Sequence, residues 1–480
     1  MTAMTALTRR RLFAAGISLA AVPLLPRLPH AAMSADGFRT ITLKPGEARL
    51  RGPSEPATAI WGYDGGLPGP VLRLRRGEEV KVRIVNGLQQ PTSVHWHGVR
   101  IDNAMDGAAG LTQAPIAPGA SFDYRFKVPD AGTFWYHPHL LASEQLDRGL
   151  YGLLIVEEAE AVEVDQDIAL VLDDWRLDPN GRIHESFGNM HDAAHEGRYG
   201  NHFTVNGGAG LDIPVRTNER LRLRLVNAAN ARVMPVRIAD HDAMAMAFDG
   251  QPAEPFPLER ARVVLSSGAR CDVFIDAIRP PGSSSDILID TGRQEIAIAR
   301  LVYGTGEPKR PAPLSPPRPL PANALPATMD FRGALKLDIP MEGGAMSAMM
   351  MSGMMNRERA ADPSMHGHGG QSAMMWTLKG RASDGHSGPP LFSVKRGRTV
   401  MLGFPNETHF PHNIHLHGHH FRLLDALDDG WKPYWLDSVL VLARKTARIA
   451  FVADNPGKWM IHCHMIEHQE SGMAAWFEVT

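Results

Sequence analysis

A chain of 480 residues is too long to bury one core, so two or three domains are expected. Its 50 basic and 52 acidic residues nearly cancel, which excludes the broad basic surface a nucleic-acid binder needs. Hydrophobic content of 44% and charged content of 21% are ordinary for a soluble globular protein.

The N-terminus reads as an export signal. Arg9-Arg10-Arg11-Leu12-Phe13 is a twin-arginine pattern, followed by an apolar run to about Leu25 that Gly16 and Pro23 interrupt. The run is too short and broken for a spanning helix, and Ala31, Ala32 and Ala35 offer cleavage points. A cleaved signal over residues 1–35, a periplasmic destination and no stable membrane anchor are expected. Removing that segment takes four arginines and no acids and leaves a net charge of −6.

Three later segments alternate polar and apolar residues and end at asparagine: Gly77–Asn86, Glu219–Asn227 and, more loosely, Gly397–Asn406. Period-two alternation of this length predicts half-buried strands closed by a turn residue. A second shared segment links the outer two repeats, Phe126–His139 matching Phe451–His464. Three related β-sandwich units follow, over 36–160, 161–310 and 320–480, with the proline-dense stretch from Pro308 to Pro326 as a linker.

One segment is foreign to this pattern. Ten of the 23 methionines lie between Met341 and Met375, together with His366 and His368. It reads as an insertion splitting a strand of the third unit. Thioethers are soft and favour Cu(I), so the segment is a candidate cuprous-ion binder.

Histidine spacing carries the chemistry. At 22 histidines, chance gives roughly one His-x-His pair, yet the chain holds six. Setting aside 366/368 in the methionine-rich segment and 417/419, which overlaps another, four pairs remain: His95/His97, His137/His139, His415/His417 and His462/His464. Residues i and i+2 of a strand share a face, so each pair presents two imidazoles to one site. Eight imidazoles suffice for a cluster of several copper ions. The first two members of this set lie nine and eleven residues after Asn86, and His415 and His417 lie nine and eleven after Asn406. The matching positions after Asn227 are Val236 and Ile238. The cluster is therefore expected between the first and third units, with the middle unit as unliganded scaffold.

Between His462 and His464, Cys463 must face the other way. A thiolate with two histidines and a weak axial methionine defines a blue-copper site, and His412, His468 and Met473 are close enough in sequence to complete one. An electron arriving there passes through Cys463 and one peptide link to His462 or His464. Cys271, the other cysteine, reads as a small buried hydrophobe rather than a disulfide partner.

His95-Trp96-His97-Gly98, His137-Pro138-His139, His412-Asn413-Ile414-His415-Leu416-His417-Gly418 and His462-Cys463-His464-Met465-Ile466-Glu467-His468 with Met473 resemble, in order, the four copper motifs of the multicopper oxidases, most of all bacterial three-domain laccases and cuprous oxidases. The resemblance runs from about residue 40 to the end. It implies an all-β protein of three tandem cupredoxin-like Greek-key domains and four copper ions. It further implies type 1 ligands His412, Cys463, His468 and Met473, type 2 ligands His95 and His415, and type 3 ligands His97, His137, His139, His417, His462 and His464. Dioxygen is the implied acceptor, with Cu(I), a phenol or an aromatic amine as donor; a monomer is expected. Asp106 matches an acidic residue that the family places near the cluster and is assigned proton relay. Gln469 departs from a glutamate found in several bacterial relatives, leaving Glu467 or Glu470 as substitutes. Glu407 is a candidate acid at the type 1 edge. The competing function is a copper-sequestering protein in which turnover is incidental.

Overall fold

The computed structural model describes residues 36–326, 328–345, 374–424 and 434–480. The expected signal and most of the methionine-rich segment lie outside these residues. No helix among them is long and apolar enough to cross a membrane.

The first unit packs two four-stranded sheets, one ordered Thr58–Tyr63, Arg39–Ala48, Glu79–Asn86, Ser121–Lys127 and the other Leu72–Arg75, Gly152–Glu157, Gly132–Pro138, Val94–His97. The middle unit pairs a six-stranded sheet with a five-stranded one. The third unit repeats the plan, and its larger sheet sets Met473–Val479, Gly457–Cys463, His412–Leu416 and Ser438–Val441 side by side.

The three asparagines at the repeat ends do one job. Asn86 donates to the carbonyls of Gln90 and Ile116 and accepts from the Leu88 amide. Asn227 donates to Arg232 and Leu265 and accepts from Ala229. Asn406 donates to Phe410 and Val441 and accepts from Thr408. Each side chain ties a strand end to its own turn and to a distant loop, which is why the spacing from asparagine to the next strand is kept.

Two local readings change. The strand Arg220–Asn227 is buried on both faces, not half-buried. Two of its arginines pair within the middle unit and across to the first: Arg222 with Asp272 and, in the first unit, Glu158, and Arg224 with Asp167 and, in the first unit, Thr133. The methionine-rich segment does not interrupt one strand. Met341–Gly343 and Trp376–Leu378 pair antiparallel, Met341 opposite Leu378 and Gly343 opposite Trp376, so the segment is carried between the two arms of a ribbon. Met341 and Met375 at its ends are buried in the core.

Candidate metal centre

Strand pairing brings the histidines together. His95 lies opposite His137 in one sheet, and His415 opposite His462 in another. The two strand pairs face each other across the junction of the first and third units. His95 stacks on His417 at 3.8 Å between ring centroids, and His97 stacks on His415 at 3.8 Å. All eight paired histidines are buried, and their donor atoms converge in overlapping groups: His95, His415 and His417; His95, His97 and His137; His139, His417 and His462. His464 joins them through ring contacts with His97, His137 and His415. Val236 and Ile238, the equivalent positions of the middle unit, sit in that unit's own core.

The far nitrogens of most rings are tied down. Nδ1 of His95 donates to the Asp106 carbonyl and Nδ1 of His415 to the Asp437 carbonyl, both at 2.8 Å. His137 and His462 donate to the carbonyls of Pro138 and Cys463, and His464 Nδ1 meets Ser267 Oγ. The opposite nitrogens therefore point inward. Nε2 of His95, His415 and His464 is buried without a partner. Elsewhere ring nitrogens approach one another: His417 Nε2 lies 3.1 Å and His139 Nε2 3.3 Å from His462 Nε2. Burial, helped by neighbouring imidazoles, holds His97, His137, His139, His417, His462 and His464 well below the usual histidine range. Neutral rings with converging lone pairs and no proton to share are what a set of cations requires. The donor set fits copper.

Two carboxylates bracket the cluster with a pseudo-twofold relation. The Asp106 carbonyl holds His95 while its Oδ2 accepts from His417 Nδ1 at 2.8 Å. The Asp437 carbonyl holds His415 while its Oδ1 lies 3.3 Å from His97 Nε2. Each acid grips one histidine of its own unit and one of the other. They differ in one respect. Asp437 is clamped by Arg270, Nη1 at 2.9 Å and Nη2 at 2.5 Å; burial alone would raise its pKa, but the guanidinium holds it well below the carboxylate range. Asp106 Oδ1 is buried with no hydrogen-bond partner.

Cys463 lies across its strand from His462 and His464. Its Sγ is 3.8 Å from His412 Nδ1 and 3.7 Å from His468 Nδ1, with the two imidazole nitrogens 3.0 Å apart. Burial pushes the Cys463 thiol up to about 12 and His468 down to about 4. This pocket makes neither a thiolate nor an imidazolium by itself, so a bound cation must supply the charge. Met473 is buried at the start of the adjoining strand. Cys271 is free and buried, as is Cys463.

The short helix Ile466–Glu470 carries His468 and links Cys463 to Met473. Glu467 accepts from Asn230 Nδ2 and the Arg198 amide, and burial pushes it up to about 7. Glu470 accepts from the amide and hydroxyl of Ser143, four residues beyond His139, and burial raises it too. Gln469 Oε1 is buried without a partner. Glu407 is exposed, next to Thr408, whose Oγ1 meets His412 Nε2.

Sequence reasoning missed Asp437 and the whole contribution of the middle unit. That unit donates no candidate ligand, yet Ser266 and Ser267 grip Asn413, Ser267 meets His464, and Arg270 clamps Asp437. No spacing signals them: Asp106 follows His97 by nine residues, and Asp437 follows His417 by twenty.

Profiles described as multicopper oxidase match residues 47–161, 167–289 and 358–480. The chain is similar to multicopper oxidase MmcO of Mycobacterium tuberculosis, 30% identical over 492 aligned positions covering 96% of this chain and 90% of that protein. It is 25% identical to a copper resistance protein A homolog of Pseudomonas syringae, over 90% of each chain. Its fold superposes on the crystal structure of a multi-copper oxidase from Pseudomonas thermotolerans with a TM-score of 0.78 and 33% identity, covering 92% of this chain and 98% of that one.

Proposed function

The chain belongs to the multicopper oxidase family, a copper-dependent oxidoreductase with dioxygen as acceptor, and on that premise we propose that it takes electrons singly from Cu(I) or a small phenol or aromatic amine and reduces dioxygen to water. The observation that carries this reading is Cys463, grouped with His412 and His468 on one side of a strand whose next residues either way, His462 and His464, face the histidine cluster. Bound copper would supply one-electron exchange at the sulfur-bearing set and multi-electron reduction of dioxygen at the cluster. The proposed holders are His412, Cys463, His468 and Met473 for one ion, His95 and His415 for a second, and His97, His137, His139, His417, His462 and His464 for two more.

The chain's own groups do the rest. Cys463 and its flanking peptides give a covalent path of a few bonds between the two sets. Asp106, with one oxygen on His417 and the other 3.5 Å from His95 Nδ1 without a hydrogen bond, is placed to relay a proton to the cluster. Asp437, locked as an anion by Arg270, orients His97 and His415 and offsets positive charge. Glu467 and Glu470 are the acids placed to stand in for the relay missing at Gln469. Export by the twin-arginine route to the periplasm, and action as a monomer, complete the proposal.

The test is oxygen uptake with Cu(I), a phenol and a non-phenolic dye, for the full chain and for a variant lacking residues 341–375, alongside a copper count. Four coppers per chain and uptake with at least one donor are expected. Copper bound well beyond four with negligible uptake would instead establish sequestration. Loss of Cu(I) oxidation alone on deletion would assign the methionine-rich segment to cuprous-ion delivery.

A further inference from the structure

We infer that His420 takes up a proton from solvent when an electron is stored among the paired histidines, and so offsets charge during oxygen reduction; the inference rests on the oxidase reading above and adds a residue outside its ligands and relay acids. His420 is buried where the three units meet. Its Nε2 lies 3.1 Å from the Asp249 carbonyl and 3.5 Å from Gln251 Nε2, both of the middle unit, and 3.7 Å from Asp437 Oδ2 of its own unit. Asp130 of the first unit accepts from Gln251 Nε2 at 3.2 Å, and its two oxygens accept from Arg100 at 2.7 Å each. Asn323 of the linker donates to Gln251 Oε1, which turns the Gln251 amide nitrogen toward Asp130 and His420.

This nitrogen is served in either state. Protonated, it donates to the Asp249 carbonyl; bare, it accepts from the Gln251 amide. Nδ1 is buried without a partner, so no bond fixes the tautomer as backbone carbonyls do for His95 and His415. The surrounding charges leave room for a cation. Asp249, Asp437 and Asp130 are buried against two guanidiniums, Arg270 and Arg100, one carboxylate more than they offset. Asp454 adds another from the outer side of Arg100. Burial outweighs Asp437 and Asp130 and holds His420 below the usual histidine range, so the resting ring is neutral. An electron changes that balance. Asp437 Oδ1 is 3.3 Å from His97 Nε2, which puts added negative charge two contacts from His420. Asp249 does not compete for the proton: burial pushes it up to about 7, but the amides of Arg270, Asp437 and Ser438 already donate to its two oxygens. His419 is boxed by Phe451, Trp459 and Phe477, and burial pushes it down to about 4.

The step balances as one proton for one electron. Solvent reaches the Arg100 end of the junction, where that side chain is 13% exposed. It gives a proton to His420 Nε2 as the electron arrives and takes it back once the electron has gone to dioxygen. No bond between heavy atoms is made or broken, and the protons that end in water come by way of the relay acids.

The test reduces copper-loaded protein without oxygen, using hexaammineruthenium(II), which carries no protons, and counts protons taken up with a pH indicator in weakly buffered solution. Between about pH 5 and 7 the parent should take up about one proton per chain more than His420→Gln. Copper content and the urea midpoint show whether that variant folds. Asp130→Asn removes one acid facing the ring and keeps an acceptor for Arg100, so its uptake should move to lower pH. Equal proton counts in the parent and folded His420→Gln would overturn the assignment. Where that variant fails to fold, an Asp130→Asn uptake curve superposed on the parent's overturns it. Oxygen uptake separates the two failures: its absence with every donor refutes the oxidase reading and this role with it, and its presence with equal proton counts refutes this role alone.

Discussion

At the scale of single residues, the two bracketing aspartates should part company on substitution. Asp437→Asn strips the buried Arg270 guanidinium of its nearest carboxylate and leaves it only Asp249, at 3.5 Å. It should cost about 3–5 kcal/mol of stability, measured as a shift in the urea midpoint, and lower copper retention. Asp106→Asn keeps an acceptor for His417 and leaves no cation unpaired. Copper content and stability should hold while turnover falls about a hundredfold, read as oxygen uptake per bound copper. Cys463→Ser should abolish the blue absorption and donor oxidation together, while leaving the eight paired histidines in place. The paired histidines were legible because strand alternation turns a two-residue spacing into a shared face. Asp437, Ser267 and Arg270 were not, because their link to the cluster is made only when units fold against one another, and nothing near them in sequence repeats.

At the scale of elements, the three end-of-repeat asparagines predict parallel behaviour with different consequences. Asn227→Ala leaves two buried carbonyls and one amide without their partner. It should lower stability by about 2–3 kcal/mol by chemical unfolding without changing copper bound per folded molecule. The same change at Asn86 or Asn406 should also loosen the strand that carries His95 or His415, so copper content should fall there. The strands themselves were readable from periodicity. The fate of the arginines in Arg220–Asn227 was not: alternation shows that two faces differ, but which neighbour covers the polar one is settled by Asp272, Glu158 and Asp167, from other parts of the chain. The methionine-rich segment was visible by composition. Its placement within an antiparallel ribbon was not, because three-residue arms are too short to show alternation.

At the scale of the whole molecule, the units are fastened by charged pairs as well as by apolar packing. Asp165 and Arg310 form a bidentate pair at 2.6 and 2.8 Å, tying the start of the middle unit to the linker that leaves it. The hydrogen bond from Arg310 holds Asp165 below the usual carboxylate range. A depressed carboxylate adds stability that is present above its unfolded pKa and lost as pH falls through the folded one. Asp165→Asn should therefore cost about 1 kcal/mol near pH 7, and its thermal transition should converge with that of the parent as pH falls through the depressed folded-state titration of Asp165. The division of the cluster has a further outcome. His95 and His139 lie more than three hundred residues before His462 and His464, and no unit has both halves. Nothing made before His464, sixteen residues from the last one, offers the cluster its full set of nitrogens, so metal uptake would act as an inspection of assembly: ions would be held only once the first and third units have met.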